Sequence, residues 1–343
     1  MRKLEKDVSA NCEIPDKSML HPPGTVEEQY KRMRSDLGFY WGDGPQGLDS
    51  TKVEAVACSL CGEPPPPSER AVFTKLRFPY FLCPGCGLVY PSPRPRSEYL
   101  DKQYKEGRFA SSFTDIYLPS APYRMATIFS ERVEEIIRPR VPGGRLLDIG
   151  CSSGHFLKVA HDGGYEVYGI EPNPDMVEFA SGELGLPNIR AGVMSDDAYP
   201  ADYFDVVTLW DVLEHVPDPG SLLVSVKKVL KPGGWVFAYT ENLESFNYFI
   251  TGADSEMFAP DVHIRHYTPA TFRREFEKAG LSVSEVMTKG LDIQHIETTV
   301  KLNPDRYRRE DFTALFEAAE SMQNFINACG KGDNLRLFAR KAG

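Results

Sequence analysis

The sequence predicts an α/β protein with a parallel sheet, preceded by a small metal-binding segment. From Arg145 onward, short apolar runs alternate with helical segments at the spacing of βα units. Residues 146–149 form a short, wholly apolar run apart from one acidic residue, which suits a central buried strand, and they lead into a glycine-rich turn. Upstream of this unit stand two Cys-x-x-Cys pairs. Together these observations place a ligand cradle in the second half of the chain and a metal-binding segment in the first.

Composition and charge narrow the class of protein. The chain has 343 residues, enough for two modest domains or one elaborated domain, and its 41% hydrophobic and 26% charged residues are ordinary for a globular protein. A formal net charge of −10 without a basic cluster argues against nucleic acid as a partner. Residues 1–7 are charged, and no apolar run could span a membrane. We therefore expect a cytoplasmic protein with no membrane partner.

The cysteine spacing predicts one structural zinc site. Of seven cysteines, four form two pairs that can place four thiolates around one tetrahedral ion. Gly62 and Gly87 permit the tight turns beneath the metal, and residues 71–82 can supply ribbon strands. Four sulfurs close the coordination sphere, which argues against a catalytic metal with an open position. The predicted zinc ligands are Cys58, Cys61, Cys83 and Cys86.

The N-terminal part of the chain reads as an arm. It is polar, with one predicted helix at residues 27–37 that Thr25 could cap. Residues 39–41 are all aromatic, so this stretch should dock, either against a substrate or onto the body of the protein. Further along, Tyr117, Tyr123 and Arg124 are candidates for a lid over the cradle, with core packing as the alternative. The expected division is an arm at 1–50, a zinc ribbon at 51–98, a helical lid or linker at 99–144, and the α/β domain at 145–343 with a helical insert at about 290–332.

The turn after residues 146–149 separates two kinds of cofactor. A dinucleotide fingerprint has Gly-x-Gly-x-x-Gly, whereas this chain has Asp148, Gly150 and Gly154 with no glycine between the last two. An acidic Asp148 directed into the turn would repel a pyrophosphate but suits the ammonium and sulfonium charges of S-adenosylmethionine. Glu171 ends the second predicted strand, where it could hold the ribose hydroxyls of either cofactor. The turn therefore favours S-adenosylmethionine.

With the motifs further on, the chain resembles the class I S-adenosylmethionine-dependent methyltransferases. The resemblance covers about residues 125–343 and implies a doubly wound, mostly parallel seven-stranded sheet whose last strand is antiparallel. The zinc pairs, with residues 88–95 and 263–280, also resemble a bacterial subgroup often found with polysaccharide, sugar-nucleotide or natural-product pathways. The motif segments are 147–154, 167–171, 204–207, 213–219 and 230–234.

The resemblance implies a set of cofactor residues. The glycine-rich turn should approach the methionine moiety, the end of the second strand the ribose and adenosine, the end of the third strand the adenine, and the end of the fourth strand the reactive methyl. Either Asp196 or Asp197 could hold the adenine amino group, after Ser195. Cys151 is interpreted as a small filler rather than a nucleophile. The cofactor residues are Asp148, Gly150, Cys151, Gly154, Glu171, Pro172, Asn173, Val193, Met194, Trp210 and Asp211.

Three histidines qualify by position as a general base: His215, His263 and His266. They follow the fourth and fifth strands, at the rim where α/β sheets bind ligands. We therefore expect base-assisted O-methylation of a small molecule: a sugar, a sugar nucleotide or a natural-product intermediate. For His215 a structural role remains open, because Glu-His at this point recurs in family members of differing chemistry. C-methylation of a small molecule, and RNA or protein methylation guided by the zinc ribbon, remain alternatives.

Overall fold

A computed structural model describes residues 15–21, 24–106 and 113–343. Cys12 and the first part of the predicted arm lie outside these residues. Within them, no helix combines the length and the apolar character that a membrane span requires. The described strands are β1 (Val53–Glu54), β2 (Phe73–Lys75), β3 (Phe78–Leu82), β4 (Val89–Pro91), β5 (Arg94–Pro95), β6 (Arg145–Ile149), β7 (Glu166–Glu171), β8 (Ile189–Ala191), β9 (Phe204–Trp210), β10 (Leu230–Glu241), β11 (Ser282–Lys289) and β12 (Asn334–Arg340).

The central sheet has seven strands in the order β11-β12-β10-β9-β6-β7-β8. β12 runs antiparallel to both of its neighbours, while the pairs from β10 to β8 are parallel. The chain proceeds from β6 outward to β8, then returns to the other side of β6 with β9. This reversal creates a switch point at the carboxyl ends of β6 and β9, where ligands of open α/β sheets bind. The predicted Rossmann-like fold is confirmed.

Helices cover both faces of this sheet. The described α-helices are α1 (Lys17–Leu20), α2 (Thr25–Asp36), α3 (Ser97–Glu106), α4 (Leu118–Arg124), α5 (His155–Asp162), α6 (Pro174–Gly182), α7 (Pro219–Val229), α8 (Phe246–Thr251), α9 (Pro269–Lys278), α10 (Asp292–Leu302), α11 (Thr313–Glu317) and α12 (Ala319–Ala328). Short 3-10 helices occupy Leu37–Tyr40, Pro45–Gly47, Ser68–Arg70, Gly252–Asp254 and Arg309–Phe312. Turns of π-helix occupy Phe113–Tyr117, Met125–Phe129 and Glu131–Ile137, so the helical segment predicted at 99–144 is irregular before β6.

Alternating apolar residues explain how the sheet is buried on both faces. Leu146 packs with Phe156 on one face, whereas Leu147 packs with Leu223 on the other, and both leucines are fully buried. Successive side chains of a strand point to opposite faces, so a parallel strand covered by helices must be apolar on both. The same constraint makes the short apolar runs visible in the sequence.

One local prediction was wrong: Gly24, with φ of 83°, occupies the N-cap position of α2, so that Thr25 is the first helical residue. The motif segment at residues 230–234 lies within β10, where the pairing with β9 shifts register between Leu230 and Trp235. Such a bulge accommodates residues that cannot continue a regular ladder, Pro232 among them.

The cysteine-rich segment packs into the same core as the sheet. Cys58, Leu60 and Cys83 are almost completely buried, in one hydrophobic cluster with Phe272 and Phe276 of α9. The Lys278 ammonium group donates to the Leu60 carbonyl oxygen at 2.7 Å. The segment is therefore built into the body of the protein.

The described part of the arm also docks on the body. Tyr40 is 1% exposed, and its ring meets the Phe78 ring edge-on. Tyr40 thus packs against β3, which agrees with the packing interpretation, whereas Phe39 and Trp41 are 49% and 43% exposed.

We predict that Gly154→Ala destabilises the fold by about 2–4 kcal/mol, from backbone strain and overpacking together. Gly154 has φ of +78°, and a Cβ there would lie 2.8 Å from both Ala180 Cβ and Leu186 Cδ1. The free energy of unfolding in urea measures the loss. Gly182→Ala is the matched control: nothing lies within 4 Å of its Cβ, so it should leave stability unchanged or raise it slightly. Equal effects of the two substitutions would contradict the packing role.

Candidate active site

One cavity of about 1490 Å³ opens at the carboxyl ends of β6, β7, β9 and β10. Single small-molecule sites commonly enclose roughly 300–1,000 Å³, so this cavity has room for two ligands side by side. Leu20 and Val26 of the N-terminal arm contribute to its wall, as do His295 and Asp333 from the region of the helical insert. The cavity therefore joins the arm, the sheet and the insert.

The turn after β6 forms one side of the cavity. Asp148 is 2% exposed and accepts a hydrogen bond from the Thr208 hydroxyl at 2.6 Å. Burial raises the pKa of Asp148 to about 7, even though this hydrogen bond opposes the shift. Gly150 has φ of 73°, and a Cβ there would press on Val212 at 3.0 Å. A cationic ligand group beside Asp148 would favour its ionised form.

Glu171, at the end of β7, is held by backbone donors. The amide N–H of Ser152 reaches Glu171 Oε2 at 3.0 Å, and that of Asn173 reaches Oε1 at 2.9 Å. Burial raises the pKa of Glu171, and these two hydrogen bonds oppose the shift. Each carboxylate oxygen retains a second lone pair that can accept from a ligand hydroxyl. The carboxylate is thus oriented before any ligand arrives.

Two residues expected to contact a cofactor lie behind the cavity wall. Asn173 caps α6 by accepting from the N–H groups of Asp175 and Met176, and its side-chain amide donates to the Tyr104 carbonyl oxygen at 3.2 Å. A Cβ added to Gly154 would contact Ala180 and Leu186 rather than point into the cavity. Both residues shape the site through helix packing. Cys151 is buried, with its Sγ only 2.7 Å from where a Cβ on Gly169 would lie, which agrees with a filler role.

The segment after β8 lines a more open part of the cavity. Val193, Met194, Ser195 and Asp196 all border it, as does Pro172 from the end of β7. Val193 is 70% exposed, so nothing in the described chain covers it. Of the two acidic candidates here, Asp196 borders the cavity and accepts from the Ser225 hydroxyl at 2.5 Å, whereas Asp197 does not line it.

A buried cation faces the end of β9. The Arg132 guanidinium lies 4.5 Å from the centre of the Trp210 ring, and its Nη2 is 3.9 Å from Asp211 Oδ2. Neither Arg132 Nε nor Trp210 Nε1 finds a hydrogen-bond partner among the described residues. Asp211 adopts φ of 55°, a conformation that aspartate tolerates better than most residues. Two buried N–H donors and a cation therefore point to an anionic ligand group here.

His215 follows β9 and lines the cavity with its side chain 10% exposed. Its Nδ1 lies 2.9 Å from the Val262 carbonyl oxygen, which can only accept a hydrogen bond. This contact assigns the proton to Nδ1 and leaves Nε2 as the unprotonated ring nitrogen. Burial, together with the nearby His263, lowers the pKa of His215 to about 3. His215 is therefore a neutral imidazole at physiological pH.

His263 lines the same wall in the opposite charge state. Its Nδ1 lies 2.7 Å from the Met257 carbonyl oxygen and 2.8 Å from Glu241 Oε1. Burial alone would lower the pKa of His263, but the Glu241 carboxylate raises it to about 9. Its ring centre lies 4.8 Å from that of His215. His263 is thus a cation at neutral pH and cannot accept a proton there.

His266 does not line the cavity. It is 1% exposed, and its ring packs 4.4 Å from that of Phe258 and 5.7 Å from that of Tyr80. Glu241 lies on its other side, with Oε2 at 3.5 Å from Nδ1. The expectation that His266 could act as a base is wrong, because the ring is enclosed by aromatic side chains.

Two of the three lid candidates border the cavity. Tyr117 and Arg124 line it, and the Arg124 guanidinium donates to the Leu20 carbonyl oxygen at 3.1 Å. Tyr123 points elsewhere, because its hydroxyl accepts from the amide N–H of Asp16 at 2.6 Å. The segment before β6 thereby ties the arm to the cavity wall.

Sequence reasoning missed three of the residues just described: Arg132, Glu241 and Tyr104. Tyr104 is half-buried in the cavity wall, with its ring centre 5.7 Å from that of His215. Each of the three lies in a segment read for helical or strand periodicity alone. The acidic end of β10 was the one available signal, because a carboxylate at the end of a parallel strand lies on the ligand-binding rim.

The four paired cysteines converge away from this cavity. Their sulfur atoms lie within 4.8 Å of one another. The Sγ atoms of Cys58 and Cys86 are 3.5 Å apart, and those of Cys61 and Cys83 are 3.4 Å apart. A tetrahedral zinc site with bonds of about 2.3 Å requires sulfur separations of roughly 3.8 Å. The donor set and its spacing therefore fit a zinc ion.

We predict that Glu241→Gln lowers the pKa of His263 well below 9, because burial is then opposed only by Glu214 and the Met257 carbonyl oxygen. In the wild type, the stability from the charged pair is fully present below the unfolded pKa of histidine and disappears as pH rises through about 9. Histidine ring resonances followed by NMR against pH measure the shift. An unchanged titration of His263 in the variant would contradict the pairing.

Comparisons with known proteins agree with this arrangement. A family model described as a methyltransferase domain matches residues 121–286. The ubiquinone biosynthesis O-methyltransferase of Burkholderia pseudomallei (strain 1710b) is 32% identical over 180 residues, which cover 48% of this chain and 75% of that protein. The corresponding enzyme of Thiobacillus denitrificans is 29% identical over 160 residues, covering 43% and 69%.

Among solved structures, a methyltransferase of Thermotoga maritima, described as a possible histamine N-methyltransferase, aligns at 18% identity with a TM-score of 0.47, over 71% of this chain and 98% of its own. The match of the family model includes the turn after β6, the acidic end of β7 and the rim that carries His215. The relative from Burkholderia pseudomallei is 32% identical and is covered over 75% of its length. The chain therefore belongs to the class I S-adenosylmethionine-dependent methyltransferases.

Proposed function

We propose that this enzyme transfers the methyl group of S-adenosylmethionine to a hydroxyl group of a small molecule, with His215 as the general base. The observation that carries the proposal is a neutral His215 on the cavity wall at the end of β9. The relatives are named as ubiquinone biosynthesis O-methyltransferases, which supports a hydroxyl acceptor. The resemblance of the cysteine-rich segment to a bacterial subgroup often found with sugar and natural-product pathways favours a sugar, a sugar nucleotide or a natural-product intermediate.

The cavity offers a complementary group for each charged part of the cofactor. Asp148 would hold the ammonium group, the backbone of Gly150 would approach the methionine chain, and Glu171 would accept from the ribose hydroxyls. Arg132 and the Trp210 N–H would hold the carboxylate. Its oxygens would accept from Arg132 Nε and Trp210 Nε1, which have no hydrogen-bond partner among the described residues. The adenine would lie toward the open wall at Val193, Met194 and Ser195.

Proton removal falls to His215 in this proposal. S-adenosylmethionine supplies an electrophilic methyl group and a neutral thioether leaving group. With a pKa of about 3, His215 is too weak a base to ionise a free hydroxyl, so it takes the proton as the oxygen–methyl bond forms and the hydroxyl becomes strongly acidic. Its Nε2 accepts this proton, while its Nδ1–H remains bonded to the Val262 carbonyl oxygen. His263, already protonated and paired with Glu241, lines the same wall. The enzyme otherwise acts by alignment within the enclosed cavity.

A carbon acceptor is the second candidate. Glu214 adjoins His215 and is 2% exposed, and burial together with the charge of Asp211 raises its pKa. A second group that can hold a proton near neutral pH would assist proton removal from carbon. The buried position of the cysteine segment weighs against the third possibility, a zinc ribbon that recruits RNA or protein.

The decisive experiment incubates the enzyme with methyl-labelled S-adenosylmethionine and panels of sugar nucleotides and pathway intermediates, followed by mass spectrometry. We expect a labelled methyl ether, and a loss of at least about 100-fold in kcat for His215→Ala. A new carbon–carbon bond in the product would select C-methylation. Label in RNA or protein, or unchanged turnover by His215→Ala, would overturn the proposal.

Arg132→Gln should weaken the binding of S-adenosylmethionine by about 10- to 150-fold, the range expected for loss of a charge-assisted hydrogen bond. Decarboxylated S-adenosylmethionine, which lacks the carboxylate, should bind the variant and the wild type within about 3-fold of each other. Isothermal titration calorimetry measures both ligands. Equal losses for the two ligands would place Arg132 elsewhere than at the carboxylate.

We also propose that the four paired cysteines bind one structural zinc ion. Cys83→Ser should abolish stoichiometric zinc, measured by metal analysis of the purified protein, and lower Tm by several degrees. Cys329→Ser is the matched control, because Cys329 is exposed and lies outside the cluster. Full zinc content in Cys83→Ser would refute the site.

A further inference from the structure

A fully buried arginine grips the loop that carries His215. Arg265 is 1% exposed, and its guanidinium donates to the carbonyl oxygens of Leu213 at 2.6 Å and Pro217 at 3.2 Å. It also donates to the Val216 carbonyl oxygen. Three carbonyls of one loop thus share a single side chain.

The residues beside Arg265 complete the grip. The amide N–H of Ile264 donates to the Glu214 carbonyl oxygen at 3.0 Å, and the Val262 carbonyl oxygen accepts from His215 Nδ1 at 2.9 Å. Every residue of the loop at 213–217 is therefore bonded to the segment at 262–265. Hydrogen bonds thus fix both the ring of His215 and the backbone of its neighbours.

Arginine is the side chain that this geometry requires. The loop has no regular hydrogen-bonded structure, so its buried carbonyls need donors from elsewhere. A guanidinium presents five N–H groups in a rigid planar fork, whereas the ammonium group of lysine is a compact point donor. Burying a cation costs considerable free energy, and the nearby Glu275 and Asp218 carboxylates offset part of that cost. Neither carboxylate explains why the guanidinium donates to three carbonyls of one loop, which points to a role in geometry.

We propose that Arg265 is a positioning residue, which fixes the loop at 213–217 so that His215 keeps its proton on Nδ1 and presents Nε2 as the base. This inference rests on the proposed role of His215. Without the fork, the loop can rotate its carbonyls toward water, and the Val262 contact that selects the tautomer is lost. Arg265 itself touches neither ligand.

The same segment continues to the cysteine-rich part of the chain. His266, the residue after Arg265, exchanges backbone hydrogen bonds with Val89, at 2.8 Å and 3.4 Å. Val89 begins β4, three residues after Cys86. The segment at 262–265 that binds the loop is thus followed directly by a residue hydrogen-bonded to the proposed metal-binding segment. These contacts connect that segment to His215.

The test uses the ring nitrogens of His215, observed by long-range ¹⁵N–¹H NMR in the full-length protein. The wild type should show a single neutral form protonated on Nδ1. Arg265→Met and Arg265→Lys should both show a mixture of the two neutral tautomers, while each binds S-adenosylmethionine within about 3-fold of the wild type. Once an acceptor is identified, the factor by which kcat falls in these variants should be at least 10 times the factor by which KM changes.

Controls separate positioning from simple destabilisation. Phe338→Leu alters the buried face of β12, distant from the loop, and should lower Tm without changing the His215 signals. Arg265→Lys keeps the charge, so it remains informative if Arg265→Met fails to fold. A single Nδ1-protonated form in a folded Arg265 variant would overturn the inference. If the Arg265 variants show the tautomer mixture but the wild type transfers no methyl group, the proposed function fails and the positioning role of Arg265 stands.

Discussion

The proposed acceptor side of the cavity depends on one ionised carboxylate, that of Glu241. Burial alone would raise the pKa of Glu241, but the contacts with His263 and His266 lower it well below the usual range. Its charge keeps His263 protonated, and the protonated His263 in turn helps to keep His215 neutral. The Tyr248 hydroxyl donates to Glu241 Oε2 at 2.9 Å and holds the carboxylate in place. The charge of Glu241 therefore determines the protonation state of His263, and His263 in turn influences that of His215.

The two halves of the site differ in how they are assembled. In the proposed cofactor half, Asp148 and Glu171 come from one βαβ unit and are close in sequence, and Arg132 and Trp210 join them from outside that unit. The acceptor half brings together residues from β9, β10, the segment before α9 and the helical insert. A shared cofactor half and a composite acceptor half are compatible with a family that keeps one cofactor and varies its acceptors.

This difference also explains which residues of the site could be predicted from the sequence. Asp148, Gly150 and Glu171 were visible because a strand, a turn and a strand end impose local residue patterns. His215 was visible for the same reason. Arg132 and Glu241 were not, because their roles come from neighbours distant in sequence, and local periodicity carries no information about those neighbours. The enclosure of His266 by aromatic rings is likewise a property of the folded chain alone.

The shared core of the cysteine-rich segment has a consequence for how the protein is made. Leu60 and Lys278 are 218 residues apart yet in direct contact, and Phe272 and Phe276 complete the cluster around Cys58. During synthesis the first hundred residues leave the ribosome long before the surface that buries them exists. Contacts of such long sequence separation slow folding. The nascent chain must therefore keep an apolar segment soluble until α9 emerges, and a bound metal ion would restrain that segment during the wait.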